Sequence, residues 1–139
     1  LFTVEKALEI ATIAHKGQTD KAGKEYIYHP IMVAFSVKTK EEKIVALLHD
    51  VVEDTKITLK DLKNYGVGTN ELTAIKLLTK KNNEDYFEYI ARIKTNNLAR
   101  NVKIADLKHN SDLTRLKVIT DKDLKRVEKY KKAIAYLTE

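Results

Sequence analysis

The 139-residue chain contains no cysteine and no tryptophan, one proline and four glycines. Without cysteine there are no disulfides and no thiolate metal sites, so any metal must be held by histidine and carboxylate side chains. The same absence suits a reducing compartment, and a cytoplasmic location is expected. Proline and glycine are too scarce for a chain of many turns and short strands, so helices joined by short connections are expected. No long uncharged apolar run occurs, which excludes a membrane-spanning helix. Strand alternation, internal repeats and low-complexity linkers are absent as well. The length fits a single all-α domain over residues 1–139. Leu1 in place of an initiating methionine points to missing N-terminal residues, with no sign of a removed leader.

What the chain does have is charge, 26 Lys and Arg against 20 Asp and Glu, for a formal +6. A basic balance favours phosphate-rich partners, either nucleic acid or a phosphorylated small molecule. The densest basic stretch is Lys117 to Lys132, with seven basic residues against three acidic ones. It reads as the solvated face of the last helix, with Leu124, Val127, Ile134 and Leu137 turned inward. No aromatic interleaving accompanies it, so a nucleic-acid partner is not expected and a small-molecule nucleotide is. No feature of the sequence speaks to the oligomeric state.

Helix signals recur along the chain. Thr3 caps a helix from Val4 to His15, and Gly17 to Glu25 is a polar loop. Pro30 suits a first helical turn, which places His29 at the N-cap. Thr39-Lys40-Glu41-Glu42 is a capping box opening the next helix. Thr58 with Asp61 starts a short helix ending at Gly66, and a second short one runs from Asn70 to Thr79. Asp85 to Thr95, Leu98 to Leu116 and Asp121 to Leu137 complete the set, the last behind Thr120. Tyr86 and Tyr89 share a helix face with Ile90 and Ile93, the spacing of core residues.

The third helix carries the most informative feature, His49-Asp50 with Glu53-Asp54 inside the run from Ile44 to Thr55. At the helical repeat, His49, Glu53, Asp50 and Asp54 fall at about 0°, 40°, 100° and 140° on the wheel. Ile44, Val45, Leu48, Val51 and Val52 occupy the other side. A helix so apolar is normally buried, and buried charge is costly unless a metal, a partner or a water-filled cleft receives it. The polar arc therefore reads as one wall of a site. Asp106 is a second carboxylate embedded in an apolar helix, Val102 to Leu107, with Asn110 one turn on. Together with His29 these residues can form a set of two histidines and two aspartates. Such donors suit Mn²⁺, Fe²⁺ or Zn²⁺ with positions left for water and phosphate oxygens. For His29 or His109 alone a hydrogen-bonded core histidine is the ordinary reading. Several burial-averse groups in separate apolar helices favour a shared ion.

Three blocks resemble a known family. They are Ala14-His15-Lys16-Gly17-Gln18 with Lys21, Gly23 and Tyr26-Ile27-Tyr28-His29-Pro30; Ala46 to Thr55 with Thr58; and Val102 to Asp106 with His109-Asn110. In order and content they are similar to the RelA/SpoT-type alarmone hydrolase domain, a branch of the HD-domain metal-dependent phosphohydrolases that includes small stand-alone homologues of metazoan SpoT type. The resemblance implies an all-helical enzyme that removes pyrophosphate from the 3′ position of ppGpp or pppGpp with Mn²⁺. By motif it makes His29, His49, Asp50 and Asp106 the metal ligands. Glu53 and Asp54 would orient and activate water, and Asn110 would contact substrate or water. Lys21 would meet substrate phosphate, with His15 and Gln18 shaping the loop or facing substrate. A chain this short has no room for the synthetase domain of the long RelA/SpoT proteins, so hydrolysis is expected as the only activity.

Two positions depart from the family pattern. The loop usually carries an arginine before the lysine, packed on guanine, where this chain has Asp20. The third-block aspartate is usually followed by arginine or lysine, where this chain has Leu107 and then Lys108. Both bear on base recognition and neither on a ligand. An HD-type phosphohydrolase acting on a different phosphorylated nucleotide, such as NADPH or a nucleoside phosphate, is the alternative expectation.

Overall fold

The computed structural model describes residues 1–139 as eight helices with no strand. They are α1 (Val4–Ala14), α2 (Tyr28–Ser36), α3 (Lys40–Asp54), α4 (Leu59–Asn64), α5 (Thr69–Leu78), α6 (Tyr86–Lys94), α7 (Asn97–Asn110) and α8 (Asp121–Thr138). The caps read from the sequence are in place. The Thr3 hydroxyl accepts from the Lys6 N–H at 3.1 Å, and the Thr39 and Thr58 boxes close on Glu42 and Asp61. A third box, Thr120 with Asp123, opens α8. Each such cap stabilises its helix by about 1 kcal/mol, because the first-turn N–H groups have no partner within the helix.

The centre of the molecule is α3. Ile44, Val45, Ala46, Leu47, Leu48 and Val51 are all buried, so the helix is wrapped on nearly every side. Helices α1, α2, α5 and α7 all pack against it, and α8 packs on α7 and α6. Burying one such leucine is worth roughly 1.5–3 kcal/mol, which is what allows α3 to carry polar groups inward elsewhere. Ala7, Ala11 and Ala74, all fully buried, let neighbouring helices come close. The Lys43 ammonium donates to the carbonyls of Ala34 and Val37 at 2.9 and 2.8 Å, closing the C-terminus of α2 against α3.

Three expectations need correction. His29 is not the N-cap of α2; the helix begins at Tyr28, after Ile27. The turn N–H bonds Tyr28 to Glu25 and His29 to Tyr26 wind the chain early. Pro30 still sits in the first turn, where its missing N–H costs nothing. The long helix ends at Asn110, not at Leu116. The Asp112 carboxylate takes both the N–H and the hydroxyl of Thr114, at 2.9 and 2.7 Å, and this local turn replaces further helix. Finally, Leu124 is exposed; Val127 and Leu137 are buried on α8 as expected, and Ile134 is partly buried.

Between α1 and α2 the polar loop closes on itself. Thr19 and Glu25 form an isolated antiparallel bridge, and Gly23 takes a φ of 80° at the tip. Asp20 organises this tip, its Oδ1 accepting from the N–H groups of Ala22 and Lys24 at 2.9 Å each. The loop thereby delivers Tyr26 and His29 to the face of α3. No helix is long and apolar enough to cross a membrane.

Candidate metal centre

Four side chains from three helices converge beside α3. His29 comes from the first turn of α2, His49 and Asp50 from the middle of α3, and Asp106 from α7. All four are buried, and one donor atom from each lies within 4.8 Å of the others. His29 Nε2 is 2.7 Å from Asp106 Oδ1 and 3.8 Å from Asp50 Oδ2. His49 Nε2 is 3.2 Å from Asp50 Oδ1 and 3.6 Å from Asp106 Oδ1.

The donor set fits a divalent cation. His49 donates its Nδ1–H to the Ala46 carbonyl at 2.8 Å, which leaves the Nε2 lone pair facing the cluster. That buried Nε2 makes no hydrogen bond. An unpartnered buried nitrogen aimed at two carboxylates is costly without a cation or proton among them. Burial alone would lower the His49 pKa, but the Asp50 and Asp106 carboxylates outweigh it and raise the ring to about 9. The cluster thus draws positive charge, as a metal site does.

Neighbouring groups hold these four side chains in place. The Tyr26 hydroxyl donates to Asp50 Oδ2 at 2.6 Å. Burial first, and then the Asp50 charge, push this phenol far above its usual value, so it stays a donor. His29 Nδ1 pairs with His109 Nδ1 at 2.7 Å, a contact that leaves the other nitrogen of His29 for the cluster. The Lys103 ammonium donates to Asp106 Oδ2 at 3.0 Å, and the Asn110 amide to Asp106 Oδ1 at 3.4 Å. Burial would raise the Asp106 carboxyl; Lys103 and the two histidines outweigh it and hold it well below the carboxylate range.

The other residues singled out in the sequence lie around this cluster or in the core. Glu53 and Asp54 lie at the solvent-open end of α3, and Glu53 accepts from the Lys80 N–H at 3.1 Å. Partial desolvation and then the Asp50 charge push both carboxyls up. His15 is buried, its Nδ1 2.8 Å from Gln18 Oε1, and Gln18 donates in turn to the Asp54 carbonyl at 3.3 Å. These two tie the loop to the end of α3. Lys21 lines a cavity of about 320 Å³ shared with Tyr26, Asn110, Arg115, Arg126 and Tyr130. Since Tyr26 bonds Asp50 and Asn110 bonds Asp106, this cavity abuts the four-residue cluster. Tyr89 is core, with its hydroxyl bonded to the Leu78 carbonyl at 2.6 Å.

Sequence reasoning gave no role to Tyr26, Lys103 or Arg115, and for His109 only that of a hydrogen-bonded core histidine. Spacing could have found two of them, since Lys103 and His109 lie three residues either side of Asp106 on its helix face. Arg115 gave no such signal. It lies in the connection after α7 and meets Asp20 across 95 residues of sequence, at 3.1 Å. Leu107, where a cation would be usual, is buried in the core.

No protein-family model matches the chain. Among curated proteins, the bifunctional (p)ppGpp synthase/hydrolase SpoT of Escherichia coli is 32% identical over 121 residues, 77% of this chain. A guanosine-3′,5′-bis(diphosphate) 3′-pyrophosphohydrolase of Haemophilus influenzae is 33% identical over 115 residues, or 73%. In both cases the chain spans only 17% of the relative's length. A solved structure described as a metazoan ortholog of SpoT that hydrolyzes ppGpp and plays a role in starvation responses superposes with a TM-score of 0.75. It covers 96% of this chain and 84% of its own, at 22% identity, and so shares the fold.

Proposed function

Taking as premise that this chain belongs to the SpoT-type alarmone hydrolase domain family, we propose that it hydrolyses the 3′-pyrophosphate of (p)ppGpp, giving GDP or GTP and pyrophosphate with consumption of one water. The observation that carries this reading is the buried His29–His49–Asp50–Asp106 cluster opening onto a cavity lined by Lys21, Arg115 and Arg126. We read residues 1–139 as one hydrolase domain.

The four cluster residues would hold a divalent ion, Mn²⁺ in our reading, though the donor set admits others. Bound there, such an ion lowers the pKa of water and screens phosphate charge. Glu53, at the open end of α3 with its carboxyl already raised, takes the proton of the attacking water. Asp54 beside it orients that water. The Asn110 amide, 3.4 Å from Asp106, is placed to donate to an oxygen of the substrate, and the exposed Lys21 ammonium meets phosphate. Tyr26, His109 and Lys103 hold the ligands and leave the chemistry to others.

The test is hydrolysis of ppGpp with added Mn²⁺, following GDP and pyrophosphate, with a chelator control. Chelator-sensitive release of both products supports the reading. A folded protein without turnover refers the site to another phosphorylated nucleotide, for example NADPH or a nucleoside phosphate. That second reading draws on Asp20, which stands where a guanine-packing arginine is usual. Release of orthophosphate rather than pyrophosphate would favour it.

A further inference from the structure

The Asp20 carboxylate does not present a free negative charge to the cavity. Its Oδ1 is taken by the N–H groups of Ala22 and Lys24, and its Oδ2 accepts from Arg115 at 3.1 Å. Arg115 reaches it out of the turn that follows α7, and both residues line the cavity beside the four-residue cluster. Lys21 and Arg126 also line it, and they share one carboxylate, Asp123, at 3.8 and 2.9 Å. The Lys21 side chain is 61% exposed, the Arg115 side chain 37%.

These cations differ in what they can do. A lysine that is mostly exposed and loosely paired remains available to phosphate oxygens. An arginine whose charge is matched by a carboxylate at 3.1 Å gains little from phosphate. It keeps a flat, weakly hydrated guanidinium face, and such faces stack on aromatic rings. Asp20 holds Nη1 of that guanidinium beside the cavity, so less freedom is lost when a ring lies against it. A cavity of about 320 Å³ accepts a purine with part of its ribose.

We infer that Arg115, anchored by Asp20, is the residue of this chain that stacks on the substrate's nucleobase. This rests on the nucleotide-hydrolase reading above and adds to it a specificity-determining residue from outside the loop that usually supplies one. With the charge reversed at position 20, the planar cation then comes from the turn after α7 and base recognition stays in place.

The experiment compares wild type, Arg115→Ala and Arg115→Lys by steady-state hydrolysis of ppGpp and pppGpp, with thermal melts as a folding control. Stacking predicts that Arg115→Ala raises KM about tenfold for both substrates alike with kcat little changed, and that Arg115→Lys fails to rescue it. A KM within twofold of wild type for Arg115→Ala overturns the inference. So does full rescue by lysine, or a KM effect that grows with the third 5′-phosphate, either of which would make Arg115 a phosphate contact. Wild type without turnover of either substrate defeats the parent reading and this inference with it; an active wild type with an indifferent Arg115 defeats this inference alone.

Discussion

A divalent cation that binds the His29–His49–Asp50–Asp106 cluster should raise the melting temperature by a calculable amount. The donors come from positions 29 to 106 and lie within 4.8 Å of one another only when α2, α3 and α7 are packed together. The unfolded chain has no comparable site, so the ion binds the native state alone. At a free concentration one hundred times its dissociation constant it adds about 2.7 kcal/mol. A chain of 139 residues unfolds with an entropy of about 0.3 kcal/mol/K, so the melting point should rise by roughly 9 °C. Asp106→Ala separates two effects. Without metal it removes the carboxylate partner of the largely buried Lys103 ammonium, which should cost about 3 kcal/mol and roughly 10 °C. With metal, the shift should fall below about 2 °C, because one of four ligands and the pairing of His29 are both lost. Differential scanning fluorimetry across a Mn²⁺ titration reads both numbers. An equal metal shift in wild type and Asp106→Ala would refute the assignment of the cluster, as would no shift in wild type at millimolar metal.

Glu53→Ala should lower kcat by about 10²–10⁴-fold while the metal-induced melting shift persists; near-native turnover removes the water-activating role. His109→Ala frees the His29 ring from its 2.7 Å partner and should weaken metal affinity about 10–100-fold by calorimetric titration, with unchanged affinity the refuting result. Acid stability should depend on Glu84, whose carboxyl is lowered to about 2 by the Arg92 side chain and the Lys81 N–H. Because the folded pKa is depressed, this stabilisation is full above the usual glutamate value of 4.5 and is lost as pH falls towards 2. Urea midpoints of Glu84→Gln should therefore vary less than wild type over that window, and parallel curves would disprove the contribution.

The local signals were the legible ones. Thr3, Thr39 and Thr58 mark helix starts because the capping bond spans three residues, and the apolar circumference of α3 announces its burial. The four clustered residues were legible for a related reason: each is a group that dislikes burial set in an apolar surrounding. The end of α7 was not, since Leu113 and Leu116 continue a helical pattern that the Asp112–Thr114 turn overrides with two short hydrogen bonds. Nor was the start of α2, where two turn bonds ahead of Pro30 shift His29 from cap to first turn. The partner of Asp20 was not legible either, because Arg115 lies 95 positions away and no local pattern records that meeting.

The Asp20–Arg115 contact also makes the two positions mutually contingent. Residues that share one ion pair do not contribute additively, so the effect of a change at either depends on what occupies the other. Grafting an arginine into position 20 alone would set two guanidiniums against each other and strip the loop tip of its N–H acceptor. Reversing position 115 alone would face two carboxylates. A chain drifting between the two arrangements must pass through one of these disfavoured intermediates or change both residues together, which makes the pair a small barrier to exchanging loops between this protein and its relatives.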